Sequence, residues 1–144
     1  MTVAKNQFTI TTKKEKFDVE FIHSFLTRSY WAEGISKEVI KRSIEGALCF
    51  GLFENDKQIG FARMITDKAT FAYLADVFII EEYRGRGLSK WLMEVIMSHP
   101  SLQGLRRMML ATKDAHGLYE KFGFTPLNNV DRWMQINDPN RYKR

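Results

Sequence analysis

A long apolar run ends in a glycine-rich turn, and this junction constrains the fold more than any other part of the sequence. Residues 70–80 are almost continuously apolar, which predicts a central β-strand covered on both faces. After the turn, apolar residues recur at helical spacing from Leu88 to His99, and Pro100 ends that pattern. The junction therefore predicts a strand–turn–helix unit inside an α/β protein.

Periodicity and turn residues predict the other elements. Strands are expected at residues 8–11, 48–53, 58–65 and 107–111, and Phe124 and residues 133–136 should supply the last ones. Apolar spacing predicts a helix from Phe17 to Leu26. A second helix should begin after the cap Ser36 and end at Gly46, and a shorter one should begin after the cap Asp114 and end at Gly123. Strand 70–80 should lie parallel to strand 107–111 through a right-handed crossover, in an otherwise antiparallel sheet.

Composition narrows the class of protein. With 144 residues, of which 44% are hydrophobic, the chain can bury a core, and we expect one domain over residues 1–144. No apolar stretch reaches the roughly 18 residues of a membrane span, and no signal peptide is visible. Cys49 is the single cysteine and is expected in the core, which fits a reducing, cytoplasmic location. No metal site is expected, because the cysteines are too few and the histidines lack ligand spacing.

The glycine-rich turn has the composition of a phosphate-binding site. Glycines let the backbone approach a ligand closely, and the following helix directs free N–H groups toward it. Two arginines add positive charge, so the segment 84–89 favours a phosphate or pyrophosphate. The P-loop pattern is absent, and Lys90 stands where a dinucleotide-binding motif needs its third glycine.

These residues resemble the GNAT superfamily of N-acetyltransferases. The family signature is [Gln/Arg]-x-x-Gly-x-[Gly/Ala], and segment 84–89 (Arg-Gly-Arg-Gly-Leu-Ser) matches it except at Ser89. A tyrosine shortly before a Gly-Phe pair is a second family mark, and here Tyr119 precedes Gly123 and Phe124. The order of elements over residues 7–137 is also similar. The resemblance implies a GNAT-like fold, with a mixed, mostly antiparallel sheet, about four flanking helices, and strands 70–80 and 107–111 splayed into a V.

The resemblance also implies acetyl-CoA as the acyl donor and gives its binding residues. The V should admit the pantetheine arm, with backbone groups of the apolar strand bonding that arm and holding the oxyanion of the reacting thioester. Backbone N–H groups of the turn should cradle the pyrophosphate. Thr112 stands where many members carry a pantetheine-binding asparagine. The implied cosubstrate-binding residues are Val77, Phe78, Ile79, Arg84, Gly85, Arg86, Gly87, Leu88, Ser89 and Thr112.

Two side chains are candidate catalytic residues. The resemblance implies that Tyr119 is the general acid that protonates the departing thiolate, although an aromatic side chain packed beside Phe122 is the structural alternative. Asp76 is a carboxylate within an apolar strand, and burial of a charged group costs free energy unless a partner or a function compensates for it. It could act as the general base, hydrogen-bond to backbone, or orient the loop at Tyr30 and Trp31. Deprotonation of the amine through water is also compatible.

The acceptor is expected to bind beside the first two helices. Tyr30, Trp31 and Glu33 lie in the loop between them and predict an aromatic wall with one carboxylate, suited to a primary amine. The same aromatics could instead fold over the core. A small molecule is favoured over a protein N-terminus, and a homodimer is compatible with the family.

Two other functions are compatible with the sequence. The net charge of +5, with Arg84, Arg86, Arg106 and Arg107 as phosphate contacts, could serve a nucleic-acid-binding domain. No nucleic acid is expected, because no RNA- or DNA-binding motif is present. A GNAT-like protein that binds acyl-CoA as a sensor, without turnover, is the third hypothesis.

Overall fold

The computed structural model describes residues 1–143 and contains one six-stranded sheet with strand order β1-β2-β3-β4-β5-β6. Each pair of neighbouring strands from β1 to β5 is antiparallel, and β6 is parallel to β5. This is the mixed, mostly antiparallel sheet predicted from sequence. The strands are β1 (Thr2–Lys5), β2 (Phe8–Thr11), β3 (Leu48–Glu54), β4 (Lys57–Thr66), β5 (Phe71–Ile79) and β6 (Arg107–Leu110).

Four α-helices flank the sheet in the described residues: α1 (Val19–Leu26), α2 (Lys37–Glu45), α3 (Leu88–Ser98) and α4 (His116–Glu120). Polar caps start the first two. The Asp18 carboxylate accepts the Phe21 N–H at 3.1 Å, and the Ser36 hydroxyl oxygen accepts the Val39 N–H at 3.2 Å. The predicted Ser36 cap is therefore confirmed. None of the helices in residues 1–143 has the length and apolar character needed to cross a bilayer.

The sheet separates two hydrophobic cores. Neighbouring residues of a strand point to opposite faces, and Cys49 and Phe50 of β3 accordingly belong to different buried clusters. One cluster packs under α3, and the other packs under α1 and α2. Burial raises the pKa of the Cys49 thiol to about 12, so this side chain is an uncharged core residue, as predicted.

A β-bulge in β5 opens the sheet. Between the pairs Phe61–Phe78 and Arg63–Ala75, β5 has one residue more than β4, so the register shifts there. Asp76 lies in this bulge with φ of 53°, a left-handed conformation that aspartate tolerates better than most residues. Beside β6, pairing stops at Leu74, although β5 continues to Ile79. The strands therefore separate beyond Leu74, at the position where the V was predicted.

Two predictions about elements were wrong, and one strand was not predicted. Phe124 and residues 133–136 form no strand, because their backbone pairs with no neighbour and β6 ends the described sheet. Asp114 does not cap α4. Instead the Thr112 hydroxyl oxygen accepts the Ala115 N–H at 3.1 Å, and Ala115 is the N-cap. The strand β1 was missed because it is a largely exposed edge strand with little apolar alternation.

Candidate active site

The turn between β5 and α3 forms an open cradle of backbone donors. Gly85 and Gly87 have φ of 79° and 77°, and no atom lies within 4 Å of the position that a Cβ would take on either. Gly87 is the N-cap of α3 and provides no side-chain acceptor. The backbone N–H groups of residues 85–90 have no acceptor among the described residues. The cradle is thus free to bind an anion at the positive end of an eleven-residue helix.

The two arginines of the turn fix its shape as well as its charge. The Arg84 guanidinium donates through Nε to the carbonyl of Ile79 at 2.9 Å, which ties the turn to the end of β5. The Arg86 guanidinium lies over the Tyr83 ring at 5.0 Å from its centroid. Ser89, the one departure from the family signature, is exposed on the first turn of α3 and leaves the cradle open.

The far half of β5 leads from the cradle into the V. Beyond Leu74 its edge faces no strand of the described chain, and this stretch contains Val77, Phe78 and Ile79. Because β6 does not pair with this stretch, backbone groups on the side away from β4 are available to a ligand, while the Ile79 carbonyl accepts from Arg84 Nε. The extended pantetheine arm of CoA offers amide groups that such an edge can bond.

Tyr119 lies on α4, the helix that follows β6, and close to Tyr30 of the loop between α1 and α2. Its side chain is 8% exposed, and its ring packs edge-on against Phe124 with centroids 6.0 Å apart. Burial, and to a smaller degree the neighbouring Tyr30, raises the pKa of the Tyr119 phenol above its usual value. No described residue accepts or donates a hydrogen bond at its hydroxyl, so a phenol that stays protonated is available to a ligand.

Asp76 connects the sheet to the loop between α1 and α2. One carboxylate oxygen accepts from Arg63 Nε at 2.8 Å, and the other accepts from Trp31 Nε1 at 2.8 Å. The Asp76 side chain is only 8% exposed, so this ion pair is largely removed from water. The network fixes the indole of Trp31 beside the bulge of β5.

Aromatic side chains form the wall around this network. Phe25 of α1 stacks on Phe78 of β5 with ring centroids 3.8 Å apart, and Trp31 lies against Phe25. Tyr30 packs edge-on against Trp31 and is 66% exposed. The Lys113 ammonium lies 5.4 Å from the centre of the Tyr30 ring, which joins this loop to the loop after β6.

The predicted site residues are therefore brought together only in part. Tyr30, Trp31 and Asp76 lie beside the bulge of β5, Tyr119 lies on α4 near Tyr30, and the cradle follows the C-terminal end of β5. Glu33 instead forms an ion pair with Lys143 at 3.1 Å. The Thr112 hydroxyl oxygen is engaged by the backbone of α4, which leaves its proton as the group available to a ligand.

The comparison with known families agrees with this geometry. The sequence model of the acetyltransferase (GNAT) family matches residues 14–124, which is most of the chain. The chain belongs to this family. The match contains the cradle, the bulge of β5 and Tyr119.

Individual relatives of the GNAT protein support the same assignment. A crystal structure of a presumed GNAT acetyltransferase from Xanthomonas campestris is 46% identical, with a TM-score of 0.93 over 95% of this chain and 97% of that one. A presumed acetyltransferase of Gibberella zeae is 29% identical over 140 residues, which cover 81% of this chain and 78% of the relative. A Clostridium acetobutylicum protein described as a predicted acetyltransferase and crystallised with acetyl-CoA shares the fold, at 15% identity and a TM-score of 0.67 over 90% of this chain and 96% of that one.

Sequence reasoning missed three residues of this GNAT site. Arg63 is a charged residue inside an otherwise buried stretch of β4, and that pattern could have identified it as the partner of Asp76. Phe25 was assigned to the core face of a helix, and nothing in its spacing indicates the stack on Phe78. Lys113 has no sequence signal, because its contact with Tyr30 depends on two loops that are distant in sequence.

Proposed function

We propose that this protein transfers the acetyl group of acetyl-CoA to a primary amine of a small molecule, by direct attack of the amine. The observation that carries the proposal is the arrangement along β5. An open cradle of N–H donors follows its end, and a buried, protonated phenol lies on α4 close to Tyr30 of the loop that Asp76 of β5 holds through Trp31. These two features match the two chemically different ends of an acyl-CoA, a pyrophosphate and a thioester.

The cradle fits the charged half of acetyl-CoA. A Cβ on Gly85 or Gly87 would project into open space, which is the space that a closely approaching phosphate needs. The unpaired N–H groups of residues 85–90 would bond its oxygens, and Arg84 and Arg86 add positive charge. Acetyl-CoA supplies an activated acyl group, so the protein needs no nucleophilic side chain of its own.

Tyr119 is proposed as the general acid. Its elevated pKa keeps the phenolic proton in place at neutral pH, and its hydroxyl has no partner among the described residues. A phenol with a free proton can donate it to a leaving thiolate. The edge of β5 at Val77, Phe78 and Ile79 is proposed to bind the pantetheine arm and to polarise the acyl carbonyl through a backbone N–H.

Asp76 is proposed to position the acceptor loop. Of the roles compatible with the sequence, this one is favoured by the contacts. Both carboxylate oxygens are already bonded, one to Arg63 and one to Trp31, and the side chain is nearly buried. An amine nitrogen has little access to it, so we propose that water removes the proton of the attacking amine.

The aromatic wall indicates the character of the acceptor. Tyr30 and Trp31 are exposed at the V, whereas the Glu33 carboxylate is engaged by Lys143 and Asp76 by Arg63. No free carboxylate of the named loop faces the site. We therefore propose an amine carried on an apolar or aromatic group, which these rings can bind by stacking.

Ligand-dependent unfolding tests the proposal. Acetyl-CoA and CoA at about 100 times the dissociation constant should each stabilise the fold by about 2.7 kcal/mol. That stabilisation should raise the melting temperature by several degrees. NADH and ATP should leave the melting temperature unchanged. Absence of a shift with either CoA species would contradict the proposal. A salt-sensitive shift with RNA or DNA alone would favour the nucleic-acid hypothesis. A shift with CoA but no acetylated product in a broad panel of amines would favour the sensor.

A further inference from the structure

The loop after β6 places a single cation against the aromatic wall. The Lys113 ammonium lies 5.4 Å from the centre of the Tyr30 ring, and Tyr30 packs edge-on against Trp31 with ring centroids 5.1 Å apart. A cation near an aromatic ring is attracted by the negative charge density of the ring face. This contact directs the Lys113 side chain toward the loop between α1 and α2, where the acceptor is proposed to bind.

A short, internally bonded turn carries Lys113. The strand β6 ends at Leu110 and α4 begins at His116, so residues 111–115 alone join them. Within this turn the Thr112 hydroxyl oxygen accepts the Ala115 N–H at 3.1 Å. The bond closes the turn around Lys113 and keeps its backbone beside the aromatic wall.

The charges of this wall are not balanced. Its two acidic residues, Glu33 and Asp76, are each paired with a basic residue, at 3.1 Å and 2.8 Å respectively. No carboxylate of residues 1–143 forms an ion pair with the Lys113 ammonium, not even that of Asp114, which follows it in the chain. The wall therefore offers a ligand one positive charge and no free carboxylate.

Lys113 also belongs to the surroundings of the proposed general acid. Tyr30, whose ring the ammonium contacts, is close enough to Tyr119 to raise the pKa of that phenol to a small degree. The ammonium, the exposed ring and the buried phenol thus form one cluster. A molecule that stacks on the Tyr30 ring can reach the ammonium with one end while its amine points into the site.

We propose that Lys113 binds a carboxylate of the acceptor, which is then an amino acid or a similar small amine with both an apolar or aromatic group and a carboxylate. This inference rests on the proposed acetyltransferase function and narrows its substrate class. An ammonium donates charge-assisted hydrogen bonds, for which a carboxylate is a strong acceptor. One cation balances one carboxylate, whereas a phosphate with nearly two charges would need another. The neighbouring cations Arg63 and Lys143 are already engaged.

Matched amines with and without a carboxylate test the proposal. Phenylalanine and 2-phenylethylamine, tyrosine and tyramine, and leucine and 3-methylbutylamine form pairs that differ only by that group. Titration calorimetry in the presence of CoA should show tighter binding of the carboxylated member in at least one pair. Lys113→Met should reduce this preference at least about tenfold, because a charge-assisted hydrogen bond is lost. Lys113→Arg keeps the charge and should retain most of the preference.

A second lysine provides the matched control. Lys121 is exposed at the end of α4 and has no ion pair among the described residues, so Lys121→Met should leave the preference unchanged. If Lys113 served only to hold the Tyr30 ring, Lys113→Met would weaken binding of both members of a pair equally. In the wild type the preference should decline with rising salt concentration, because salt screens exposed charges.

Three results would overturn the proposal. They are equal binding of both members of every pair, no binding of any carboxylated amine, and a preference that Lys113→Met leaves unchanged. Binding in the presence of CoA requires no acetyl transfer, so these measurements do not depend on catalysis. If the preference is found and lost in Lys113→Met but acetyl-CoA yields no product, the proposed activity fails while the carboxylate site at Lys113 stands.

Discussion

At the scale of single residues, Tyr119 illustrates how the surroundings select one function for a common side chain. From its sequence position it could have been a packing residue beside Phe122. The structure gives it a ring contact with Phe124, deep burial and a hydroxyl without a partner among the described residues. The proposed role requires a hydroxyl that is free to bond a ligand, and a packing role would not need one.

Removing the hydroxyl group of Tyr119 while keeping its ring tests this role. We expect Tyr119→Phe to lower kcat on the order of 10²-fold, because a positioned general acid contributes about that much. The dissociation constant for acetyl-CoA should stay unchanged, since the ring and its packing remain. Steady-state kinetics and titration calorimetry measure the two quantities. An unchanged kcat would show that the acid is water or another group.

The raised pKa of Tyr119 sets an expectation for the pH dependence. An acid must be protonated to act, so a pKa above the usual value of about 10 keeps Tyr119 active throughout the neutral and mildly alkaline range. We expect kcat/KM to rise with pH as the acceptor amine loses its proton, with no decline below about pH 10. A decline near neutral pH, measured with one amine over the full range, would contradict this assignment.

The network around Asp76 can be tested by changing its partner. Trp31→Phe removes the indole N–H that Asp76 accepts but keeps an aromatic ring. If Asp76 positions the loop, this substitution and Asp76→Asn should both raise the KM for the amine several-fold, with smaller changes in kcat. If Asp76 is the general base, only Asp76→Asn should lower kcat and alter the pH profile. The comparison of the two variants separates the roles.

At the scale of elements, the central strands and the helices with side-chain caps were predictable from sequence. The apolar run of β5 and the Ser36 cap of α2 are local signals, and the structure contains both elements at the expected positions. The bulge at Asp76 was not predictable, because its cause is a register shift against β4. Residues 133–136 have apolar character suited to a strand, but in the described residues their backbone pairs with no neighbouring strand.

A single glycine tests the cradle at the start of α3. Gly87→Ala should weaken acetyl-CoA binding at least tenfold, because the added methyl group enters the open space before the N–H donors. The left-handed φ of 77° also costs roughly 1–2 kcal/mol of stability. Gly104→Ala is the matched control, with φ of 72° and equally open surroundings. It should lose similar stability and bind acetyl-CoA normally, and equal effects of both variants on binding would refute the cradle.

At the scale of the whole molecule, one structural event organises the site. The parallel pairing of β5 with β6 ends after four residue pairs, and the bulge then directs β5 away. This separation leaves an edge for a ligand between the cradle and Tyr119, with helices α1 and α2 carrying the aromatic wall. The order of elements was enough to predict the V from the family resemblance. The contacts across it, such as Tyr30 with Lys113, depend on loop conformations that sequence periodicity does not describe.

The most direct test of the central claim is product formation from acetyl-CoA. The protein should be incubated with acetyl-CoA and a panel of small primary amines, including several with aromatic groups, while free CoA thiol and acetylated product are both measured. We predict that at least one amine gives product and thiol in equal amounts, and that Tyr119→Phe slows both equally. If acetyl-CoA binds but no amine in the panel yields product above the uncatalysed rate, the claim that this protein is an amine acetyltransferase is contradicted.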